Sequence, residues 1–533
     1  MKKILFAVIF QFLAGAPFLL GQPTAVETGI KGITQDVLKA QLDFLASDWT
    51  EGRETGERGA AMASDYIASL LQLYGVAPAG DFPQPRGYQN IQKGIERTYF
   101  QNFTLIKTTP GDDQVLKLES TEGNGTITSG FTYGIDFFLR SSGAETEIKA
   151  PLVFAGYGFK NEKLNYNDFA KLDIKGKFIL RISGIPGFAR ESLTPEELSA
   201  SSPETANYLK SAGALGILEF NPNSILVRNP LQRDQSTLSP AEENPRSGRP
   251  YAEYSIPGKS SPERFPRIII SSRAANEILK DSGFDLDTYI KKSQKNAVSS
   301  LPVIKGKSIY FRSTVKTEAV RARNVIGMIA GKDSSQIIVL GAHYDHLGMG
   351  NGYIWNGADD NASGTVGVLT LAKAIRETGL KPAKTLIFAL WSAEEEGLLG
   401  SRYYVENLSY PVKNLRLNMN FDMISRYISD DDPKKVIMTY TESCPELRTM
   451  TEANLAKYGI DLNVDYQPSK DPPGGSDHRS FVAAGVPVIR LKPGHREQYH
   501  TPADEVNTLN WDIMEKIVKI SFANLFDLAF GGW

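Results

Sequence analysis

The chain has 533 residues, 41% hydrophobic and 23% charged, with 47 glycines and 29 prolines. That composition excludes a wholly disordered, collagenous or coiled-coil protein, and at about 150 residues per domain the length suits one large domain carrying an insert. A formal charge of −2 leaves no basic surplus to neutralise a phosphate backbone, so nucleic acid is not an expected partner, and the single Cys444 excludes an internal disulfide.

Lys2 and Lys3 precede an apolar run from Ile4 to Leu20, which ends at Gly21-Gln22-Pro23. This is the pattern of a cleaved export signal over residues 1–21. The run is short for crossing hydrocarbon, no polybasic stop follows it, and no cysteine stands near it for lipid attachment. The expected product is exported, periplasmic or extracellular, without a stable membrane anchor. Thr34 is placed to cap an amphipathic helix containing Val37, Leu38, Leu42 and Leu45, and a second helix carries Met62, Tyr66, Ile67, Leu70 and Leu71. Between them, SDWTEGRETG at 47–56 reads as an ordered turn near a cleft or as a plain surface loop.

From about Phe100 the pattern changes to short strands separated by glycines, among them 152–158 and 177–182, and a new unit begins near 130. Residues 204–211 and 213–218 read as a helix feeding a strand, and the proline-rich polar stretch 221–264 mainly as loop. This unit contains no histidine. Past about 320, apolar strands alternate with helices: Asn324 to Ala330, Ile337 to Leu340, Thr385 to Trp391, Leu415 to Phe421 and Val486 to Leu491. A helix opens at Ser363 or Gly364 with Val368, Leu371, Ala372 and Ile375 on one face, and a final helix carries Ile513, Ile517 and Ile520.

All five histidines fall between His343 and His500, inside this α/β region, which places any imidazole chemistry there. GAHYDH at 341–346 follows a strand, where open α/β sheets bind ligands, and alternation puts His343 and Asp345 on one side. A metal-bound imidazole needs its other nitrogen satisfied, and Asp345 is placed to receive that hydrogen. In GADDNASG at 357–364, Asp359 or Asp360 could bridge two cations through its two oxygens. In WSAEEEG at 391–397, one acid can ligate while its neighbour faces the water to be deprotonated. With Asp422 in NFD and His500 in YHTPAD, the set suits two zinc-like cations with room for water.

These stretches resemble the zinc aminopeptidases of the M28 family of co-catalytic metallopeptidases, with that family's inserted protease-associated domain. GAHYDHLG, NGADDNASG, WSAEEEGLLGS, NFD and YHTPAD occur in the family's order. The resemblance implies an α/β mixed-sheet zinc-exopeptidase (phosphorylase/hydrolase-like) sandwich of helices and sheet: peptidase domain over 22–129 and 296–533, mainly-β protease-associated insert over 130–295. It implies two zinc ions, with manganese or cobalt as substitutes, one held by His343, Asp360 and Asp422, the other by Asp360, Glu395 and His500. Asp360 then bridges, and the Asp360-Asn361 peptide is the expected place of a cis bond. Glu394 becomes the general base, Asp345 orients His343, and Glu396 stands outside the ligand set. GSDHRSF at 475–481 resembles a substrate-side loop, which would let His478 line the pocket, with His346 and His495 bordering the cleft.

The activity so implied is release of amino-terminal residues from peptides with a free N-terminus. A carboxypeptidase or dipeptidase of the same superfamily is the nearest alternative, since metal ligands do not fix the direction of cleavage and no compact arginine cluster lies near the motifs. A glutaminyl cyclase, which generally uses one zinc, and a receptor-like ectodomain without catalysis are more distant readings. Oligomeric state is not legible.

Overall fold

A computed structural model describes residues 24–83, 97–123, 125–141, 144–194, 197–198, 207–221, 252–259, 265–298, 301–350, 352–427, 430–494 and 498–531. The run 1–21 read as an export signal, residues 204–206, most of the 221–264 stretch and His495 lie outside them.

The strands of the second half form a mixed sheet in the order Asn463–Ser469, Lys435–Thr441, Val488–Lys492, Leu415–Asn420, Asp333–His343, Lys384–Trp391, Lys307–Ile329. Its four middle strands, Val488–Lys492 through Lys384–Trp391, run parallel. Lys384–Trp391 is buried along its whole length, the signature of a strand covered on both faces. On one face lies Gly364–Glu377, which shares a core with Leu340, Leu386 and Leu417 and carries Ala25–Gly32, Gln35–Leu45, Arg58–Leu73 and Trp511–Phe530 against it. This helix is buried nearly all round, more fully than the single apolar face read from its sequence, because helices cover the side turned from the sheet. Thr34 caps Gln35–Leu45 by accepting from the Val37 N–H. On the other face, Val339, Ile387 and Trp391 pack with Tyr404 and Phe481 from Leu399–Glu406 and His478–Ala483.

The strand expected from Asn324 begins at Lys307. It pairs antiparallel with Phe100–Glu122 from Lys307 opposite Ser120 to Val325 opposite Phe100. Both are polar ribbons whose alternation is diluted by lysine, arginine and threonine, so only their apolar ends read as strand. Ser308 to Ser313 also pairs with Thr146–Phe154, which leads into Phe178–Ile182, Gly216–Phe220, Arg267–Ile270 and Phe137–Ser141. The span 130–295 packs around Phe154, Phe178, Ile268 and Ile278, in a core shared with Leu116, Leu118, Ile309 and Phe311 of the two ribbons. It includes helices Ser272–Leu279 and Leu286–Ser293. Among the described residues of the polar stretch 221–264, Glu253–Ser255 is a strand that pairs with Phe100–Glu122. No helix of the described residues is long and apolar enough to cross a membrane.

Asp136 ties this span together. It is buried and accepts from Arg273 Nε at 2.7 Å and from the Thr132 N–H at 2.8 Å. Burial pushes its carboxyl up, but the Arg273 and Thr132 hydrogen bonds overcome that and hold it below the usual carboxylate range. A carboxyl depressed in the folded state adds stability above its unfolded value, near 3.9, and loses it as pH falls through the lowered folded value. Arg273→Met is therefore expected to lower stability by about 1–2 kcal/mol at pH 7, discounted because half of the arginine faces water. The difference should shrink below pH 4. Thermal melts at pH 7 and pH 3 check this, and a gap of constant size would remove the pair as its source.

Candidate metal centre

The parallel strands finish level with one another. His343, last in its strand, stands opposite Trp391, Gly341 opposite Asn420, and Asn420 opposite Arg490. The turns leaving these strands deliver His343, Glu394 and Glu395, Asp422, and finally His500 to one place, at the carboxyl end of the sheet.

His343 Nε2 lies 3.3 Å from Asp360 Oδ1 and 3.9 Å from both Asp422 Oδ1 and Glu394 Oε2. His500 Nε2 lies 3.1 Å from Asp360 Oδ2 and 3.1 Å from Glu395 Oε2. The two oxygens of Asp360 thus face two different imidazoles. Ligand atoms of His343, Asp360 and Glu395 fall within 4.8 Å of one another, as do those of His343, Glu394 and Asp422, which makes two candidate metal-binding groups.

Each of these side chains is held from behind. His343 Nδ1 lies 3.1 Å from the backbone carbonyl of Asp345, with the Asp345 carboxylate at 3.9 Å. The ring is therefore oriented by Asp345's main chain, whereas its side chain was the expected acceptor. That carboxylate accepts instead from the N–H groups of Glu394 and Glu395 at 3.2 and 3.3 Å and from Thr55 Oγ1 at 3.2 Å. Alternation put the right residue beside His343, but the chain turns after the strand and exchanges carboxylate for carbonyl. Thr365 Oγ1 donates to the His343 carbonyl at 2.7 Å.

Asp360 sits in a turn over Ala358–Ser363 with a cis peptide to Asn361, at the position the resemblance implied. Asp504 accepts from the backbone N–H groups of Asp359 and Asp360, one on each oxygen, both at 3.0 Å. Asp359 points away from the cluster and accepts from the Ser425 N–H and hydroxyl at 2.9 and 2.7 Å. Arg426 serves both aspartates, donating to Asp504 at 2.7 Å and standing 3.7 Å from Asp359. Gly357 opens the turn at φ 55; an added Cβ would lie 2.2 Å from the Asp360 carbonyl and 2.4 Å from the His346 ring, so the position admits only glycine.

The 47–56 turn reaches the same place. Arg53 is fully buried and donates to the carbonyls of Tyr344, Asn356 and Gly357 at 2.7, 2.6 and 2.9 Å, and also to that of Leu45. One guanidinium therefore joins the His343 turn to the Asp360 turn. Burial pulls it down to about 10, against the charges of Asp504, Asp345, Asp360 and Glu395. Arg53, Arg426 and Asp504 were not singled out in the sequence; the only signals were a charged turn between glycines and the acid closing YHTPAD.

Burial penalises charge throughout the cluster, yet contacts among its members outweigh it. Hydrogen bonds with His343 and His500 hold Asp360 well below the carboxylate range. Lys492 and His343 do the same for Asp422, and His500 and His346 hold Glu395 at about 2. Glu394, Asp360 and Asp422 raise His343 well above its ordinary value, and Glu395 and Asp360 raise His500 to about 9. Glu394 goes the other way: burial and the charges of Glu395, Asp477 and Asp422 raise it well above its ordinary value. Two imidazoliums thus stand between carboxylates as positive charge, a role divalent cations would take over. Three carboxylates and two imidazoles, with both Asp360 oxygens turned inward, fit two borderline cations.

Of the remaining candidates, His346 Nδ1 lies 2.8 Å from Glu395 Oε1, inside the cluster. Glu396 belongs to neither metal group. His478 is fully buried, with Nε2 3.1 Å from the Pro473 carbonyl, so it braces its own loop. Tyr499 stacks on His500 with ring centroids 3.8 Å apart.

Fold and donor set together define an α/β protein with two candidate metal-binding groups at the carboxyl end of its sheet. Residues 324–525 match Peptidase family M28, and the fold is that of this family's zinc aminopeptidases. The chain is 33% identical over 207 residues to leupeptin-inactivating enzyme 1 of Streptomyces exfoliatus, covering 37% of this chain and 42% of that protein. It is 28% identical over 239 residues to aminopeptidase Y of Saccharomyces cerevisiae, covering 42% and 41%. The chain thus spans less than half the length of these curated relatives. Among solved structures, an aminopeptidase from Aneurinibacillus sp. strain AM-1 superposes over 95% of this chain and 97% of its own with a TM-score of 0.57 at 19% identity. The zinc aminopeptidase BSAP from Bacillus subtilis does so over 93% and 96% with 0.54 at 18%.

Asp504→Asn keeps the shape but loses an acceptor under Asp360, so metal affinity should fall about 10–100-fold, read by competition with a chromogenic chelator. Arg53→Met should cost about 3–5 kcal/mol through unpaired buried carbonyls, read by denaturant melts. Wild-type affinity in the first or wild-type stability in the second would mean these contacts do not hold the centre.

Proposed function

We propose that the chain is an exported, metal-dependent aminopeptidase that removes residues from the free amino terminus of peptides. The observation that carries this reading is Asp360 set between His343 and His500, with Asp422 and Glu395 completing a ligand set on either side. His343, Asp360 and Asp422 would hold one cation, and Asp360, Glu395 and His500 the other, zinc being the first choice and manganese or cobalt substitutes. When bound, such a pair polarises the scissile carbonyl and makes water acidic enough to be deprotonated near neutral pH.

Glu394 is the side chain free for proton work. It is buried beside His343, and its backbone is fixed by the Asp345 carboxylate. Its raised proton affinity suits a base that takes the proton of the attacking water and returns it to the departing amine. Glu395, next in the chain, is held by His346 and His500 and so keeps its place as a ligand while Glu394 transfers protons. Asp345 orients His343 through its carbonyl and aligns both glutamates through its carboxylate. Two candidate metal groups favour this reading over a single-zinc cyclase. Residues 130–295, packed on the ribbons Phe100–Glu122 and Lys307–Ile329, correspond in this reading to the protease-associated insert.

Glu394→Gln is expected to bind metal and melt within a few degrees of wild type while kcat falls at least 1,000-fold; turnover within tenfold of wild type would reject its role as base. Chelation should abolish hydrolysis, and zinc should restore it. Acetylating the substrate's amino terminus should stop cleavage, and mass analysis showing equal cleavage of free and acetylated peptides would reject the aminopeptidase direction.

A further inference from the structure

The strand Val488–Lys492 brings two cations to the metal centre that ligation does not use. Arg490 stands opposite Asn420, two residues before Asp422, and Lys492 follows on the same side by alternation, with buried Leu491 between them. Lys492 Nζ lies 3.8 Å from Asp422 Oδ2 and 3.5 Å from Met423 Sδ. The Arg490 guanidinium lies over Gly474, where an added Cβ would be 2.6 Å from Nη1 and 3.1 Å from Nη2. Gly474 therefore leaves the loop before His478 open for the arginine.

What sets Arg490 apart is that nothing answers it. Its Nε is buried without a hydrogen-bond partner, and among the described residues no carboxylate comes within ion-pair distance of the guanidinium; Asp422 acts on it only through space. The buried arginines near the centre, Arg53 and Arg426, are by contrast engaged by carbonyls and carboxylates. Lys492 already compensates Asp422, so charge balance at that ligand does not require Arg490. A buried guanidinium nitrogen without an acceptor is costly. Its planar fork matches one acceptor best, a carboxylate bound through both oxygens.

We infer that Arg490, with Lys492 beside it, recognises a carboxylate of the substrate next to the scissile bond. The inference rests on the peptide hydrolysis proposed above and narrows its substrates to peptides that carry such a group. Two sources share this chemistry: the side chain of an acidic first residue, and the free terminal carboxylate of a dipeptide. The sequence showed no arginine cluster because the site needs only one arginine and one lysine, two apart on a strand whose neighbour carries Asp422.

The test uses the metal-loaded full chain and two matched pairs of substrates: Glu and Gln 4-nitroanilides, and Leu-Gly with its terminal amide. In at least one pair the carboxylate member should have a kcat/KM at least tenfold higher, mainly through KM, and that pair identifies the source. Arg490→Met should collapse the ratio at least tenfold, and Arg490→Lys should retain part of it. Ratios within threefold in both pairs, or a ratio that survives Arg490→Met, would overturn the inference. If that variant does not fold, Lys492→Met, expected to reduce the ratio, and the wild-type ratios still decide. Calorimetric binding of the same compounds to metal-loaded Glu394→Gln separates the two readings. Carboxylate-dependent binding without hydrolysis by wild type would overturn the peptidase reading and support the site. Hydrolysis without carboxylate preference would overturn the site alone.

Discussion

Asp360 between two imidazoles is the contact on which the rest depends. Asp345, Asp359, Asp360, Glu394, Asp477 and Asp504 are all buried within this one region, with Glu395 and Asp422 nearly so. Fixed positive charge comes from Arg53, Arg426, Arg490 and Lys492, which is too little to balance eight carboxylates. Like charges at this density disfavour folding unless protons or cations intervene. His343 and His500 supply the balance in the polypeptide alone by holding protons, and the same atoms are the natural ligands of borderline metals. If cations bind here, folding and metal binding are linked, because cation and proton would compete for the same imidazoles.

The two aspartates of the 358–363 turn show how adjacent identical side chains acquire different work. Asp359 is closed off by Ser425 and Arg426, and burial together with Asp504 pushes it up to about 7. Asp360, one residue on, faces His343 and His500 and is driven in the opposite direction. Asn361 fixes the exit of the turn, donating to the Phe421 carbonyl at 2.9 Å and accepting from the Gly364 and Met423 N–H groups. Its side chain thus joins the Asp360 turn to the segment that carries Asp422.

The second half was legible because its strands are buried on both faces and its chemistry-bearing residues sit directly after them. Strand positions within the apolar runs were recovered to within a few residues, and the histidines and acids of the five motifs converge in space. The ribbon Lys307–Ile329 was only partly legible, since half of its length carries lysine, arginine and threonine on a surface that reads as loop. Supporting groups were harder still. Arg53 lies some 290 residues before the turns it binds, and nothing local distinguishes it from a solvated arginine. Arg490 and Lys492 form a pair only once the sheet sets their strand beside Leu415–Asn420.

The N-terminal turn also ties the metal centre to the 130–295 span. Glu54, next to Arg53, accepts from Tyr254 Oη at 3.2 Å and pairs with Lys107 at 3.4 Å. Tyr254 belongs to Glu253–Ser255 and Lys107 to the ribbon Phe100–Glu122, where the two residues face each other in register. Three sequence-distant segments thus meet on the turn whose Arg53 and Thr55 hold Tyr344, Gly357 and Asp345. Among its described residues the span supplies no member of the candidate metal groups, but through Tyr254 and Glu54 it touches the turn that supports them.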